Sequence, residues 1–476
     1  MQAGAYQKHI PQRMRMLLQG RVQGVGMRPF VCRLAQELGL NGWVNNTPQG
    51  VIIEAEGPAA TLALFAGRLP QELPPQARLS ACTTTTIPAA GSEQGFHIQH
   101  SHTSGAPSLD APPDLAACPA CLSELFDPGD RRHRYPFLSC SHCGPRYSIL
   151  RALPFDRERT SMAAFPLCAA CLAEYQNPAD RRFHAQTVCC PDCGPRLALW
   201  DADGHPQASR ETALAQAVAQ LRAGRILALK GVGGFQLLAD AANQAALLEL
   251  RRRKHRPHKP FAVLVDVPMT RGLCHVDDDE MNLLVDPAAP IVLLRRLPQA
   301  GVAEAVAPAL PWLGLMLPAS PLHHLLLRDF GAPLVATSGN LGGEPIAIDE
   351  QEALTRLNGI ADGYLLHDRA ILRPLDDSLL RMAARRPLLL RRARGYAPSP
   401  IALAEPLPPV LAVGGHLKNT VGLAHGRSAV LSQHLGDLDD ALSLSQCRDT
   451  LLELPRFYGV QARAVACDAH PDYAGH

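Results

Sequence analysis

One unit written twice constrains this chain more than any other feature. Residues 114–199 carry four Cys-x-x-Cys pairs, separated by eighteen, twenty-four and eighteen residues. At an offset of fifty, Cys118 matches Cys168, Cys121 matches Cys171, Cys140 matches Cys190 and Cys143 matches Cys193. The match extends to Leu122/Leu172, Glu124/Glu174, Pro128/Pro178, Asp130-Arg131-Arg132/Asp180-Arg181-Arg182 and Gly144-Pro145-Arg146/Gly194-Pro195-Arg196. Chance does not produce that register, so the stretch is an internal duplication. Each pair can place two thiolates on one tetrahedral metal, and eight cysteines therefore make two four-sulfur sites, read as structural Zn2+. Thiolates fill every position, which leaves none for a catalytic water. Binding would supply folding energy of order 10 kcal/mol per site. The spacing leaves open whether neighbouring pairs share a metal or the first pair joins the last. Cys189 breaks the spacing and is set aside, although a slipped register would let it replace Cys190. The doubled unit is expected to brace its neighbours rather than to bind nucleic acid.

The rest of the composition narrows the class. With 476 residues the chain has room for about three domains. A hydrophobic share of 47% excludes a disordered chain, and a net charge of +2 creates no strong field toward nucleic acid or a membrane. The longest uncharged run, Ala305 to Leu327, holds Pro308, Pro311, Pro318 and Pro321, and reads as a buried soluble segment rather than a membrane helix. The N-terminus has no apolar core with a cleavage site, so the expected location is the cytoplasm, where spaced cysteines are metal ligands before they are disulfides.

Residues 1 to about 12 read as a loose tail. From 13 to 100 the pattern is strand, loop, helix, strand, strand, helix, strand, strand. Residues 100–113 read as a linker, with His97, His100 and His102 as solvated side chains. Residues 205–400 alternate strand-like and helical runs, such as Ile226–Lys230 and Gln244–Arg253, as an α/β domain does. After the proline-rich stretch 398–409 a new strand–turn pattern begins at Val410.

Three glycines in Gly20-Arg21-Val22-Gln23-Gly24-Val25-Gly26-Met27-Arg28 let a strand-to-helix loop turn several N–H groups toward one anion. The helix N-terminus adds its dipole and Arg28 a bidentate fork, which together suit a phosphate. With Gly42-Trp43-Val44-Asn45-Asn46-Thr47 on the next strand, residues 13–100 resemble the acylphosphatase family, a ferredoxin-like α+β fold. The resemblance implies that Arg28 binds phosphate and Asn46 orients the attacking water in cleavage of a carboxyl-phosphate anhydride.

The chain has only five lysines, Lys8, Lys230, Lys254, Lys259 and Lys418, so a lysine marks a place where a compact ammonium is wanted. Lys230 opens a glycine-rich turn that is not a Walker loop. Arg251 to Pro260 is a dense cationic segment, for which a solvated basic face is the plain alternative, and Thr337-Ser338-Gly339-Asn340 follows a strand. The two motifs resemble the YrdC-type domain of carbamoyl-adenylate-forming enzymes. The resemblance implies that Lys254, Arg256, Ser338 and Asn340 hold ATP, with Mg2+, and a small carbonyl substrate. Asp377-Ser378 and Arg391-Arg392-Ala393-Arg394 are further candidates.

Val413 to Thr420 and Gln433 to Leu438 resemble the opening of an actin-like (ASKHA) carbamoyl-transfer domain of the TsaD type, here 408–476. No His-x-x-x-His pair occurs between Val413 and His476, so the metal-holding half is expected beyond residue 476. The order of the four parts resembles the HypF family of nickel–iron hydrogenase maturation. That resemblance implies hydrolysis of carbamoyl phosphate, formation of carbamoyl-adenylate from ATP, and transfer of the carbamoyl group to the C-terminal cysteine of a HypE-type acceptor protein. Two other readings are a threonylcarbamoyl-adenylate synthase for tRNA, which needs no acylphosphatase part, and a zinc-dependent RNA-binding module, which the near-neutral charge opposes.

Overall fold

A computed structural model describes residues 12–91, 94–102 and 108–476. The expected tail, apart from residue 12, and the middle of the expected linker lie outside the described residues. The fold is multidomain α/β: a five-stranded module, two four-cysteine clusters, a domain on a twelve-stranded sheet and a three-stranded last part.

The first module is β1 (Gln12–Arg21), α1 (Met27–Glu37), β2 (Asn41–Thr47), β3 (Gly50–Gly57), α2 (Ala59–Arg68), β4 (Arg78–Ile87) and β5 (Phe96–Ile98), with sheet order β4-β1-β3-β2-β5. Met16 and Leu18 alternate inward along β1, where they meet Val31 and Leu34 of α1 and Leu62 and Phe65 of α2 in one apolar core. Pro58 stands just before α2, as its extended N-cap.

The duplicated unit has little regular structure beyond two short helices, α3 (Pro119–Phe126) and α4 (Ala169–Gln176), each starting just after the first cysteine of its copy. Neighbouring pairs share a site: Cys118, Cys121, Cys140 and Cys143 converge, and so do Cys168, Cys171, Cys190 and Cys193. Measured Sγ–Sγ distances are 3.5–3.7 Å in the first cluster and 3.7–3.8 Å in the second. Four sulfurs about 2.3 Å from a tetrahedral ion would stand about 3.8 Å apart, so both sets fit Zn2+. Cys189 stays outside, buried against Tyr135 and the Phe137 carbonyl. The two copies embrace. Arg131 and Arg132 donate to Glu174 and to the Cys171 sulfur of the other copy. Arg181 and Arg182 in return donate to Glu124, and Arg181 also to the Cys121 sulfur. Burial works against the Glu124 carboxylate, but Arg182 and Arg181 hold it below its ordinary value.

A twelve-stranded sheet forms the large domain. Alternate side chains of its central strands feed separate apolar cores: Leu227, Leu229 and Leu334 enter one, Ala228 and Val335 the other. Cys121, Cys140 and Cys143 belong to the first of these cores, so the first cysteine cluster is packed onto the sheet. Strand Leu197–Asp201, which starts inside the duplicated stretch, is itself a member of the sheet, beside Gly363–His367. The uncharged run 305–327 becomes strand Trp312–Met316 and part of helix Pro321–Phe330. Among the described residues no helix is long and apolar enough to cross a membrane.

The last part is a three-stranded sheet with helix Ala441–Tyr458. Its middle strand is Ile401–Ala412, longer than the strand pattern from Val410 implied. Pro406, Pro408 and Pro409 fit because the pairing with Gly422–Leu431 breaks register at both sides of Leu407, where no N–H is required. Leu411, Leu423 and Phe457 pack with Tyr147, Leu150, Phe155 and Leu375, so three parts of the chain share one apolar core.

Arg132 is 1% exposed. Truncating it leaves Glu174 and the Cys171 sulfur without their buried partner. Arg132→Ala is expected to cost about 3 kcal/mol, read by denaturant unfolding. The same variant should speed zinc release to a chelator from the Cys168 cluster more than from the Cys118 cluster.

Candidate active sites

The first site lies where the glycine loop enters α1. Gly20, Gly24 and Gly26 all have positive φ, and at Gly20 an added Cβ would meet the Arg78 carbonyl at 2.4 Å, so this turn demands glycine. Arg28, in the first turn of α1, is 8% exposed. Asn46 closes β2 beside it. With its amide oxygen turned toward the guanidinium, Asn46 accepts from Arg28 Nε and Nη2, each at 3.2 Å. The two residues singled out in the sequence therefore touch.

The sequence pattern did not disclose the roof. Arg28 Nη2 donates to the Phe155 carbonyl at 3.3 Å and pairs with Asp156 Oδ1 at 2.8 Å. The Phe155 N–H donates to Gln23 Oε1 at 3.0 Å, and Arg146 Nε donates to the Gly24 carbonyl at 2.5 Å. Gln23 Nε2 in turn donates to the Thr47 carbonyl at 2.8 Å, which ties the loop to β2. His184 also faces this space. Burial, then the nearby Arg28 cation, push it down to about 4, so it is neutral at pH 7. The space between these groups is an open pocket of about 20 Å³. The zinc-binding region thus covers the anion loop.

The second site is a cavity of about 410 Å³ above the large sheet. Arg256, Ser338 and Asn340 line it, and Lys254 does not. Lys254 is 1% exposed and lies behind the wall. Its Nζ donates to the Ser338 carbonyl at 2.7 Å, to Asn340 Oδ1 at 2.8 Å and to the Asn340 carbonyl. Burial, aided by the Arg256 cation, draws its ammonium down to about 7. Lys254 therefore shapes the 338–340 loop, where Ser338 Oγ donates to Asn340 Oδ1 at 2.7 Å. The strand itself runs through Ser338, two residues further than Leu334–Ala336.

The cationic segment turns inward. Arg251 is buried and donates to the Ala305, Arg256 and Pro257 carbonyls, strapping the segment down. Arg256 stacks on Phe261 at 5.1 Å and donates to Thr337 Oγ1 at 3.2 Å. Lys259, Arg391 and Arg394 join the lining, and Lys418 and His434 reach it from the last part of the chain. Scarcity of lysine was the signal for Lys259 and Lys418, and His434 lies in the Gln433 to Leu438 motif, read there as part of the last domain and not of this cavity. Of the further candidates, Asp377 lines the cavity and Ser378 is buried behind it on the Arg394 carbonyl. Lys230 does not line it. It is buried on Glu350 and the His367 carbonyl, a structural pair.

Comparison with known proteins agrees with this layout part by part. Acylphosphatase matches residues 14–98, the HypF finger matches 117–150 and 167–200, the Sua5/YciO/YrdC family (described as telomere recombination) matches 219–393, and the HypF Kae1-like domain matches 405–476. Carbamoyltransferase HypF of Synechocystis sp. is 51% identical over 462 residues, covering 96% of this chain and 60% of that protein. The chain belongs to the HypF family. Carbamoyltransferase HypF of Rhodobacter capsulatus is 46% identical over 462 residues, covering 96% of this chain and 61% of that protein. Full-length HypF in a phosphate- and nucleotide-bound form superposes with a TM-score of 0.94 at 39% identity, covering 98% of this chain and 61% of the other. The HypF-family chain thus spans about three fifths of the length of these relatives.

Lys254→Met would remove a donor from three buried oxygens of the 338–340 loop. It is expected to cost about 2 kcal/mol in urea unfolding, whereas Lys418→Ala, at an exposed position, is expected to change stability by less than about 0.5 kcal/mol.

Proposed function

We propose that this HypF-family chain hydrolyses carbamoyl phosphate in the first pocket and uses the product, with ATP and Mg2+, to make carbamoyl-adenylate and pyrophosphate in the second. An acyl phosphate is already activated, so positioning and charge suffice: the loop N–H groups and Arg28 take the phosphate and Asn46 orients the water. Carbamate decomposes quickly in water and benefits from a sheltered path. In the second pocket carbamate attacks the α-phosphorus, and Arg256, Lys259 and Arg391 offset charge on the departing pyrophosphate. The carbamoyl group then passes to the C-terminal cysteine thiolate of a HypE-type acceptor, where it becomes the cyanide ligand of a hydrogenase iron.

One observation carries this reading. Phe155 roofs the first pocket, and its side chain shares an apolar core with Leu375, which lines the second. One apolar core thus reaches both pockets. The phosphate and nucleotide bound by the full-length relative add support.

Incubation with ATP and carbamoyl phosphate should give carbamoyl-adenylate and pyrophosphate by mass spectrometry; a nucleotide product formed only with threonine and bicarbonate would favour the tRNA-modifying alternative instead. Arg28→Ala should abolish carbamoyl phosphate hydrolysis with an unchanged circular dichroism spectrum. Full hydrolysis by that variant would move the first site elsewhere.

A further inference from the structure

The groups that hold a phosphate in the first pocket cannot tell one acyl phosphate from another. Acetyl and carbamoyl phosphate carry the same dianion, and their acyl halves are of similar size. They differ in that carbamoyl phosphate has an NH2, two hydrogen-bond donors, where acetyl phosphate has a methyl group. Since the glycine loop and α1 claim the phosphate, discrimination falls to whatever faces the other half of the molecule, which is the roof.

Most polar groups of the roof are committed. Gln186 donates to Tyr175 Oη and the His184 carbonyl and accepts from the Arg157 N–H. Gln23 is held by the Phe155 N–H and the Thr47 carbonyl. Two acceptors are held differently. The Phe155 carbonyl and the Asp156 carboxylate both take their charge-assisted bond from Arg28, the group that an incoming phosphate would claim. Among the described residues Asp156 has no other ion-pair partner. Once Arg28 turns to the phosphate, the Phe155 carbonyl, which lines the pocket, and the Asp156 carboxylate, which stands just outside that lining on the same Nη2, both lose this donor.

We propose that Asp156, with the Phe155 carbonyl, is the specificity-determining element of the first pocket, accepting the N–H groups of the carbamoyl amide. This rests on the reading of that pocket as a carbamoyl phosphate site and names what selects the substrate there. The amide supplies the two donors that the roof loses. An acyl group ending in methyl leaves both acceptors unsatisfied, and a site built to hydrogen-bond an N–H rejects an analogue that lacks it. Asp156 also competes with bare phosphate for Arg28, which keeps the product from holding the site.

The test is steady-state hydrolysis of carbamoyl phosphate and acetyl phosphate by the parent chain, Asp156→Ala and Asp156→Asn. The preference for carbamoyl phosphate, as the ratio of kcat/KM values, is expected to fall on the order of 30-fold in Asp156→Ala. Asp156→Asn keeps an acceptor oxygen and should lie between. Inhibition by inorganic phosphate should tighten in both variants. A purely structural roof would lower both activities together, so an unchanged ratio in a folded variant overturns the proposal; should Asp156→Ala fail to fold, the ratio in Asp156→Asn decides. If the parent chain hydrolyses acetyl phosphate but not carbamoyl phosphate, the reading of the pocket fails, and the role of Asp156 with it.

Discussion

The exchange of guanidinium groups between the two cysteine clusters organises the rest of the structure. A divalent ion with four thiolates carries net negative charge in a largely buried setting, and such charge must be met by cations. Each copy of the duplicated unit meets it with the arginines of the other: Arg181 on the Cys121 sulfur, Arg131 and Arg132 on the Cys171 sulfur. Glu124 and Glu174 orient those arginines. The result is a rigid block made from loops. One side of the block packs into a core of the large sheet, and from it come Arg146, Phe155 and Asp156, which cover the anion loop.

Much of this was legible in the sequence because the relevant signals are local. The glycine loop with Arg28 and Asn46, the two sets of four cysteines and the choice of the 251–260 and 337–340 segments all follow from short motifs; that the cationic segment turns inward does not. The alternation of strand and helix in the first module follows from periodicity, with ends displaced by a residue or two. The pairing of the cysteines was not legible, because both copies have the same spacing and either pairing satisfies it. The place of Lys254 was not legible: the resemblance made it a ligand-holding ammonium, and whether that ammonium faces a ligand or the backbone behind it depends on three oxygens more than eighty residues away. The roof was invisible for the same reason. Phe155 stands 127 residues from Arg28, and nothing in its own neighbourhood marks it as part of an active site.

Division of labour follows from that distance. The first module supplies the glycine loop, Arg28 and Asn46. The cover is borrowed from a different part of the chain. Likewise the 410 Å³ cavity is walled by the large sheet and closed by Lys418 and His434 from the last part. In both places a pocket is completed by a neighbour, so the chemistry depends on how the parts are held together as much as on the residues within each.

The proline-bearing strand Ile401–Ala412 has a consequence of another kind. Its stretch around Leu407, with Ile401 also exposed, presents apolar side chains in an extended conformation, the arrangement that invites a foreign chain to add on and start a fibril. Pro406, Pro408 and Pro409 have no N–H to offer such a chain. The segment is protected from templating its own aggregation by the same residues that interrupt its ladder.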